Sequence, residues 1–367
     1  MMNAHLILTV DYEVFGNGQG CLKHCVVEPA SRLLRLAEQF DAPVTLFAEV
    51  AELIAMEREL GQEAVRDVRE QLEGSVHAGH DVQLHLHPQW QGAKRRADGK
   101  WDLDFDRWRI GDLPENEIDD LIAVGKGWLD DVAFGNAPGR SCMAFRAGSW
   151  CIQPSNAVVR SLLRHGFTVE STVVPGMRRA SKGEWSDFRS APDLPFWRVD
   201  GDVCDARESG LWEVPIVSAR VGRLQQLAAE YQARNTGNSR FAPNCHGSYS
   251  IRPAGTFDRV DANFRKLLDL GLAKLDFSTM PAEALVTITE DWMRRFSDPH
   301  RPTPIVGIAH TKNWTDWSII QLTDYLVWAR DTGIRFSTYS QWLALLKTET
   351  PSDTTGSQHG ETEPMYR

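Results

Sequence analysis

Six titratable side chains follow short apolar runs of the sequence, at points where strands of a sheet would end: Asp11, Glu13, His85, His87, Arg146 and His310. In an extended strand, residues i and i+2 point to the same side. The carboxylates of Asp11 and Glu13 are therefore expected to face one space. The imidazoles of His85 and His87 are expected to share a side in the same way. Together the two pairs could supply the groups of a hydrolytic site.

Two imidazoles and one carboxylate form a common zinc-type ligand set, which leaves a coordination position open for water. Water bound there has its pKa lowered toward about 7, which makes it a nucleophile at neutral pH. A second carboxylate nearby could act as general base, while His310 could protonate a leaving group and Arg146 could keep the base ionised. Each residue alone has an ordinary explanation as a turn former, a core histidine or an ion pair. Their coincidence at four strand ends favours a site.

The elements that must position these side chains alternate between strand and helix. The apolar pattern predicts strands at His5–Val10, Pro43–Phe47, Val82–Leu86, Met143–Phe145, Phe167–Thr172, Leu211–Val217, Ile305–Ala309 and Ile334–Ser337. It predicts helices at Ala30–Phe40, at 49–73 with a break near Gly61, and at Glu115–Asp131, Ser155–His165, Val221–Asn235, 258–270 and Ser318–Asp331. Such alternation indicates a mainly parallel α/β sheet, open or closed into a barrel. In these folds the active site gathers at the carboxyl ends of the strands.

Composition and charge exclude several classes of protein. With 42% hydrophobic and 25% charged residues, the 367-residue chain is neither fibrous nor disordered in its main part. Its net charge is −10, so the chain lacks the excess of basic residues that is typical of nucleic-acid binders. The sequence contains no apolar run of about 20 residues, so it predicts no membrane span. The N-terminus lacks the basic start of a secretory signal. We therefore expect a cytoplasmic protein whose six cysteines are reduced and mostly buried.

Six short motifs occur in order along the chain: Thr9–Glu13 (TVDYE), Ala42–Phe47 (APVTLF), Gly79–Pro88 (GHDVQLHLHP), Phe145–Trp150 (FRAGSW), Trp212–Pro215 (WEVP) and Ile308–His310 (IAH). Together they resemble the motifs of the NodB-homology polysaccharide deacetylases, carbohydrate esterase family 4. The WEVP stretch is a looser match to the fourth motif of that family. The motifs extend over residues 9–310, which is most of the chain.

The resemblance implies a distorted (β/α) barrel of the glycoside hydrolase–deacetylase type. It also implies metal-dependent removal of an acyl group, usually N-acetyl, from a sugar. By this resemblance Asp11 is the general base, Arg146 braces it, and His310 is the general acid. Glu13 and His85 correspond to metal ligands, although many members of the family place an aspartate next to the base. A divalent ion is the expected cofactor, and the histidine and carboxylate set favours zinc.

The second histidine of the family's pair would fall at position 89, which is a glutamine in this chain. Either His87 takes its place, or Gln89 binds weakly through its amide oxygen, or the metal site is impaired. His87 is favoured because it shares a face with His85. The resemblance identifies no partner for His310.

We expect residues 1–347 to form one deacetylase-like domain with insertions near 91–112 and 218–304. A disordered tail is expected at 348–367. The predicted substrate is a carbohydrate or a sugar-containing envelope precursor, since no secretory signal directs the chain to a mature external polymer. Two alternatives stay open. One is hydrolysis of a non-peptide C–N bond in a small cyclic amide, and the other is a catalytically degenerate carbohydrate-binding protein.

Overall fold

The computed structural model describes residues 3–180, 184–222, 240–249 and 271–349 of the chain. The predicted helices at Val221–Asn235 and 258–270 and the predicted tail fall wholly or largely outside these ranges. Much of the predicted insertion at 218–304 does so too. The described ranges contain the main sheet and every candidate site residue named above.

The described residues form fifteen strands: β1 (Ala4–Tyr12), β2 (Val44–Glu49), β3 (Asp81–Leu86), β4 (Lys94–Arg95), β5 (Trp101–Asp102), β6 (Ala144–Ala147), β7 (Val169–Glu170), β8 (Arg178–Ala180), β9 (Trp185–Asp187), β10 (Trp197–Val199), β11 (Leu211–Glu213), β12 (Ser218–Arg220), β13 (Leu272–Lys274), β14 (Thr303–His310) and β15 (Arg335–Phe336). Nine of them form the main sheet in the order β10-β11-β7-β6-β3-β2-β1-β14, with β15 also paired to β1. All pairs in this sheet are parallel except β10 with β11.

Eight α-helices occur in the described ranges: α1 (Glu28–Glu38), α2 (Val50–Leu60), α3 (Arg66–His77), α4 (Glu115–Val132), α5 (Asn156–Arg164), α6 (Ala282–Phe296), α7 (Asp316–Asp331) and α8 (Tyr339–Glu349). The predicted break near Gly61 is confirmed, because Gly61 ends α2 with a φ of +88°, a conformation that favours glycine. The sequence pattern does not predict α6 or α8. Among the described helices, none combines the length and the hydropathy that crossing a bilayer requires.

The three central strands β1, β2 and β3 are buried along their whole length. Strands whose two faces are both covered contain continuous apolar runs instead of alternating ones, as the sequence of β1 shows. The polar residues at the carboxyl ends of these strands are consequently buried as well. Such residues must find charged or hydrogen-bonding partners within the protein.

The sheet closes on itself beside β14. After β11 the chain reaches Ile216, whose backbone N–H donates to the carbonyl of Val173 at 2.9 Å. Ile216 also forms a parallel bridge with Val306 in β14, and the N–H of Val217 donates to the carbonyl of Val306 at 2.9 Å. This connection brings the β7 side of the sheet against β14. The architecture is therefore the distorted (β/α) barrel that the sequence analysis predicts.

A segment that follows β13 lies along the outer edge of β14. The N–H of Ile308 donates to the carbonyl of Leu275 at 2.9 Å, and the N–H of Phe277 donates to the carbonyl of Ile308 at 2.8 Å. Asp276 lies between these two bonds and forms a parallel bridge with Ile308. The segment therefore places Asp276 beside the end of β14, close to a predicted catalytic residue.

The expectation that all six cysteines are reduced is wrong for two of them. Cys25 and Cys245 form a disulfide between positions 220 residues apart. The other four are free thiols: Cys21, Cys142, Cys151 and Cys204. The disulfide holds the described segment 240–249 against the residues that precede α1. No local spacing announces such a distant pairing, so the sequence pattern could not predict it.

We expect Gly307→Ala to lower the free energy of unfolding by about 1–3 kcal/mol, because a Cβ at this position in β14 would overlap the ring of Phe277. Chemical denaturation followed by circular dichroism measures the change. The control is Gly127→Ala in α4, where a Cβ would meet no atom within 4 Å. This control should gain about 0.5–1 kcal/mol. A Gly307→Ala protein as stable as the wild type would contradict the close packing between β14 and Phe277.

Candidate active site

The parallel register brings the predicted site residues to one end of the sheet. Asp11 in β1 is the direct neighbour of His310 in β14. His85 in β3 is the direct neighbour of Glu49 in β2 and of Arg146 in β6. These five strands are consecutive in the sheet. Their carboxyl ends therefore deliver carboxylates, imidazoles and a guanidinium to a single cluster.

Asp11 has one carboxylate oxygen held and the other turned into the cluster. The Nη1 of Arg146 donates to Oδ1 of Asp11 at 2.7 Å. Arg146 is fully buried, and its Nε donates to the carbonyl of Ser171 at 2.9 Å. Burial alone would raise the pKa of Asp11, but the guanidinium of Arg146 and the neighbouring histidines bring it below its ordinary value. Asp11 is therefore an ionised, braced carboxylate at neutral pH.

Glu13 is held in the same manner by a residue that the sequence analysis does not select. The Nζ of Lys312 donates to Oε1 of Glu13. The other oxygen, Oε2, lies 3.5 Å from Nε2 of His85 and 3.2 Å from Nδ1 of His87. Burial would raise the pKa of Glu13, but the ammonium of Lys312 and the two imidazoles lower it well below its ordinary range. Glu13 is thus also ionised.

The tautomer of His85 follows from a main-chain contact. Its Nδ1 lies 2.9 Å from the carbonyl oxygen of Arg146, and a carbonyl can only accept, so Nδ1 carries the hydrogen. Its Nε2 is buried and has no hydrogen-bond partner among the described residues. This Nε2 faces the free oxygens of Glu13 at 3.5 Å and Asp11 at 3.9 Å. Three electron-rich atoms therefore surround one small space.

That arrangement requires a positive charge. Burial would lower the pKa of His85, but the carboxylates of Asp11 and Glu13 raise it to about 9. A proton on Nε2 of His85 is one way to supply the charge, and a metal ion is the other. The hydrogen bond from Nδ1 to a backbone carbonyl is also the usual means by which proteins orient a metal-binding histidine.

His87 joins the cluster, together with a third carboxylate, which the sequence analysis missed. Its Nδ1 lies 2.8 Å from Oε2 of Glu49. The other oxygen of Glu49 caps α2, accepting from the N–H groups of Ala51 at 3.1 Å and Glu52 at 3.3 Å. Glu49 is fully buried at the end of β2. Its position at a strand end, like that of the predicted residues, was the signal that could have found it.

Gln89 and His87 have different hydrogen-bond partners. Its Nε2 donates to the carbonyl of Gly16 at 3.2 Å, while its buried Oε1 has no partner among the described residues. The donor atoms of Glu13, Glu49, His85 and His87 all lie within 4.8 Å of one another. The structure therefore groups His87 with the other predicted ligands.

The spacing of these donors fits a divalent cation. A tetrahedral ion with bonds of about 2.0–2.1 Å places its ligand atoms about 3.3–3.4 Å apart. The distances from Oε2 of Glu13 to the nitrogens of His87 and His85 are 3.2 and 3.5 Å. The unpartnered Nε2 of His85 also supports a cation site, because a bound cation would satisfy a buried lone pair that lies among carboxylates. The donor set agrees with zinc-type chemistry but does not select one ion.

His310 lies on the other side of Asp11 and has an acidic neighbour of its own. Its Nε2 is 3.5 Å from Oδ2 of Asp11. Burial lowers the pKa of His310 to about 4, against the opposing effect of Asp11. Asp276 also acts on His310, and His310 in turn helps to lower the pKa of Asp276. Asp276 is thus the charged neighbour that the sequence analysis could not name, because its segment gave no strand signal.

The looser fourth motif lies elsewhere in the cluster. Glu213 is the direct neighbour of Glu170 across β11 and β7. Burial raises the pKa of both carboxyls, and their mutual repulsion raises that of Glu213 further. Among the positive charges, Arg146 acts on Glu170. The WEVP stretch is therefore associated with the Arg146 side of the cluster, and Asp276 takes the place beside His310.

Comparisons with known proteins concern the fold. No protein-family model and no curated protein matches the chain. Similar solved structures include a putative polysaccharide deacetylase from Mycobacterium smegmatis, with 15% identity, 100% of this chain and 96% of that chain covered, and a TM-score of 0.47. The Puue allantoinase has 11% identity, coverage of 95% and 91%, and a TM-score of 0.45. A CE4 family pseudoenzyme from Bacillus anthracis has 10% identity, coverage of 92% and 65%, and a TM-score of 0.41.

The lowered pKa of His310 predicts how stability changes with pH. The folded protein takes up this proton near pH 4, whereas an unfolded histidine does so near pH 6.5. The contribution of His310 is therefore most favourable above pH 6.5 and is lost as the pH falls toward 4. We expect the stability of the wild type relative to His310→Gln to decrease by up to about 3 kcal/mol between pH 7 and pH 4. Urea denaturation of both proteins measures it, and a pH-independent difference would contradict the burial of a neutral His310.

Proposed function

We propose that this protein is a metal-dependent hydrolase that removes an acyl group, such as acetyl, from an amide nitrogen of a carbohydrate. One observation carries the proposal. Asp11 has one oxygen held by Arg146, and its other oxygen faces a buried set of metal-type donors on one side and His310 on the other. This is the arrangement that a general base beside a metal centre needs.

The residues that would hold the ion are Glu13, His85 and His87, with the carboxylate of Glu49 as a further donor in the same group. When bound, a divalent cation supplies Lewis-acid polarisation of the acyl carbonyl and makes water more acidic. The chain's own residues perform the proton transfers. Asp11 is ionised at neutral pH, so it can accept a proton from the attacking water as the new C–O bond forms. Arg146 holds Oδ1 of Asp11 and so keeps the accepting oxygen, Oδ2, turned toward the water.

His310 would deliver a proton to the nitrogen as the C–N bond breaks. Because its pKa is lowered to about 4, His310 is neutral before the reaction starts. Its acidic form must therefore arise during turnover, from the proton that the water releases. The 3.5 Å distance from Nε2 of His310 to Oδ2 of Asp11 makes this transfer short. The amine and the carboxylic acid are then the products, and Asp11 returns to its ionised form.

The carbohydrate part of the proposal rests on the motifs that resemble the polysaccharide deacetylases. The substrate we favour is an N-acylated sugar or sugar-containing precursor. The site chemistry itself accepts any amide whose carbonyl reaches the cluster. For this reason the activity test must include a small cyclic amide next to N-acetylated sugars.

Asp11→Asn is expected to reduce the turnover number by at least about 100-fold, because the amide cannot accept the proton from water. Acetate release from a panel of N-acetylated amino sugars and sugar nucleotides measures the loss, with ring opening of a cyclic amide followed in parallel. Asp98→Asn, in an exposed loop, is the matched control and should keep wild-type turnover. An active Asp11→Asn enzyme would exclude Asp11 as the base. A wild type that opens only the cyclic amide would exclude the carbohydrate substrate.

We also expect the wild type, purified without chelators and without a histidine tag, to contain close to one equivalent of divalent metal. His85→Ala should lose most of it, because Nε2 of His85 is the unpartnered donor at the centre of the set. Elemental mass spectrometry of the two proteins, prepared side by side, gives the answer without any assumption about substrate. Failure of both proteins to take up metal on reconstitution would favour the degenerate sugar-binding alternative.

A further inference from the structure

Lys312 is a buried ammonium in direct contact with a proposed metal ligand. The residue is only 3% exposed, and it follows β14 by two positions. Its Nζ donates to Oε1 of Glu13 and, at 2.9 Å, to the carbonyl of Val14. The rings of Phe15 and Tyr249 lie 5.7 and 6.0 Å from the ammonium. This ammonium is therefore fixed against one oxygen of Glu13.

The backbone of Lys312 is fixed as well. Its carbonyl accepts from the N–H of Ala242 at 2.8 Å. Ala242 belongs to the segment that Cys245 joins to Cys25 through the disulfide. The lysine therefore has little freedom to leave Glu13 for solvent.

Glu13 and Lys312 repeat the arrangement of Asp11 and Arg146. In each pair, one carboxylate oxygen accepts from a buried cation, and the second oxygen turns toward the histidines. Arg146 comes from β6 on one side of β1, and Lys312 follows β14 on the other side. Each of the two carboxylates at the end of β1 is thus paired with its own buried basic side chain.

We propose that Lys312 is a positioning residue of the metal centre: it holds Glu13 as a one-oxygen donor and serves as the counter-ion of that carboxylate when no metal is bound. The inference rests on the metal centre of the proposed function and adds a residue to it. Two consequences follow. The metal-free protein is stable because Glu13 never stands as an unpaired buried charge. The ion binds less tightly than it would without Lys312, since two positive charges share one carboxylate.

The test compares Lys312→Met with the wild type and with Lys126→Met, a matched lysine whose ion pair with Asp130 lies on α4. The melting temperature of each metal-stripped protein is measured with and without added zinc. Zinc affinity is measured by competition with a chromophoric chelator. We expect stripped Lys312→Met to melt at least 5 °C below the stripped wild type. We also expect it to bind zinc at least tenfold more tightly, whereas Lys126→Met should match the wild-type affinity.

A double-mutant cycle with Glu13→Gln separates this role from simple packing. If Lys312 acts through the charge of Glu13, then Lys312→Met should cost the stripped Glu13→Gln protein less than half of what it costs the stripped wild type. An equal cost in both backgrounds would overturn the counter-ion role. A Lys312→Met protein that folds only when zinc is present would support it.

An unchanged or weaker zinc affinity in Lys312→Met would overturn the proposal, and so would failure of both proteins to bind zinc. None of these measurements uses substrate. Tighter zinc binding by Lys312→Met together with no acetate release by the wild type would leave the role of Lys312 standing and would reject the deacetylase activity. The two proposals therefore fail in distinguishable ways.

Discussion

The repulsion between two carboxylates buried at the end of one strand is the constraint on which the site depends. Asp11 in β1 and Glu13 just after it are almost inaccessible to water, and each turns one oxygen into the same space. Burying such charges is costly unless each is paired and hydrogen-bonded. Arg146 and Lys312 satisfy one oxygen of each carboxylate. The two remaining oxygens and the lone pair of His85 create the demand for a further positive charge.

The barrel supplies these partners because parallel strands end on the same side. β14, β1, β2, β3 and β6 are consecutive in the sheet, and each contributes a charged or titratable group to one small region. Closure of the sheet through Ile216 then brings the Leu275–Phe277 segment to β14 and Asp276 to His310. The parallel, closed sheet thus accounts for the charged and titratable groups on both sides of Asp11.

The sequence was sufficient where a signal is local. Asp11, Glu13, His85, Arg146 and His310 each end an apolar run, and strand ends meet in a parallel sheet, so their proximity could be predicted without knowing the closure. A second group had no such signal. Lys312 lies two residues beyond a strand, Asp276 follows a three-residue strand, and Cys245 is paired with a residue 220 positions away. Asp276 and Cys245 reach their partners only through contacts between distant parts of the chain, which no short stretch of sequence specifies. Lys312 lies past the end of the apolar run, where the strand pattern gives no signal.

Arg146 contributes to the site through both its side chain and its main chain. Its guanidinium braces Asp11, whereas its main-chain carbonyl fixes the hydrogen of His85 on Nδ1. Every amino acid at this position retains a carbonyl, so mutation can remove the brace without removing the acceptor. The bracing of Asp11 and the orientation of His85 can therefore be lost independently during evolution. A descendant of this chain could give up turnover in a single step while still presenting His85 in its ion-binding orientation.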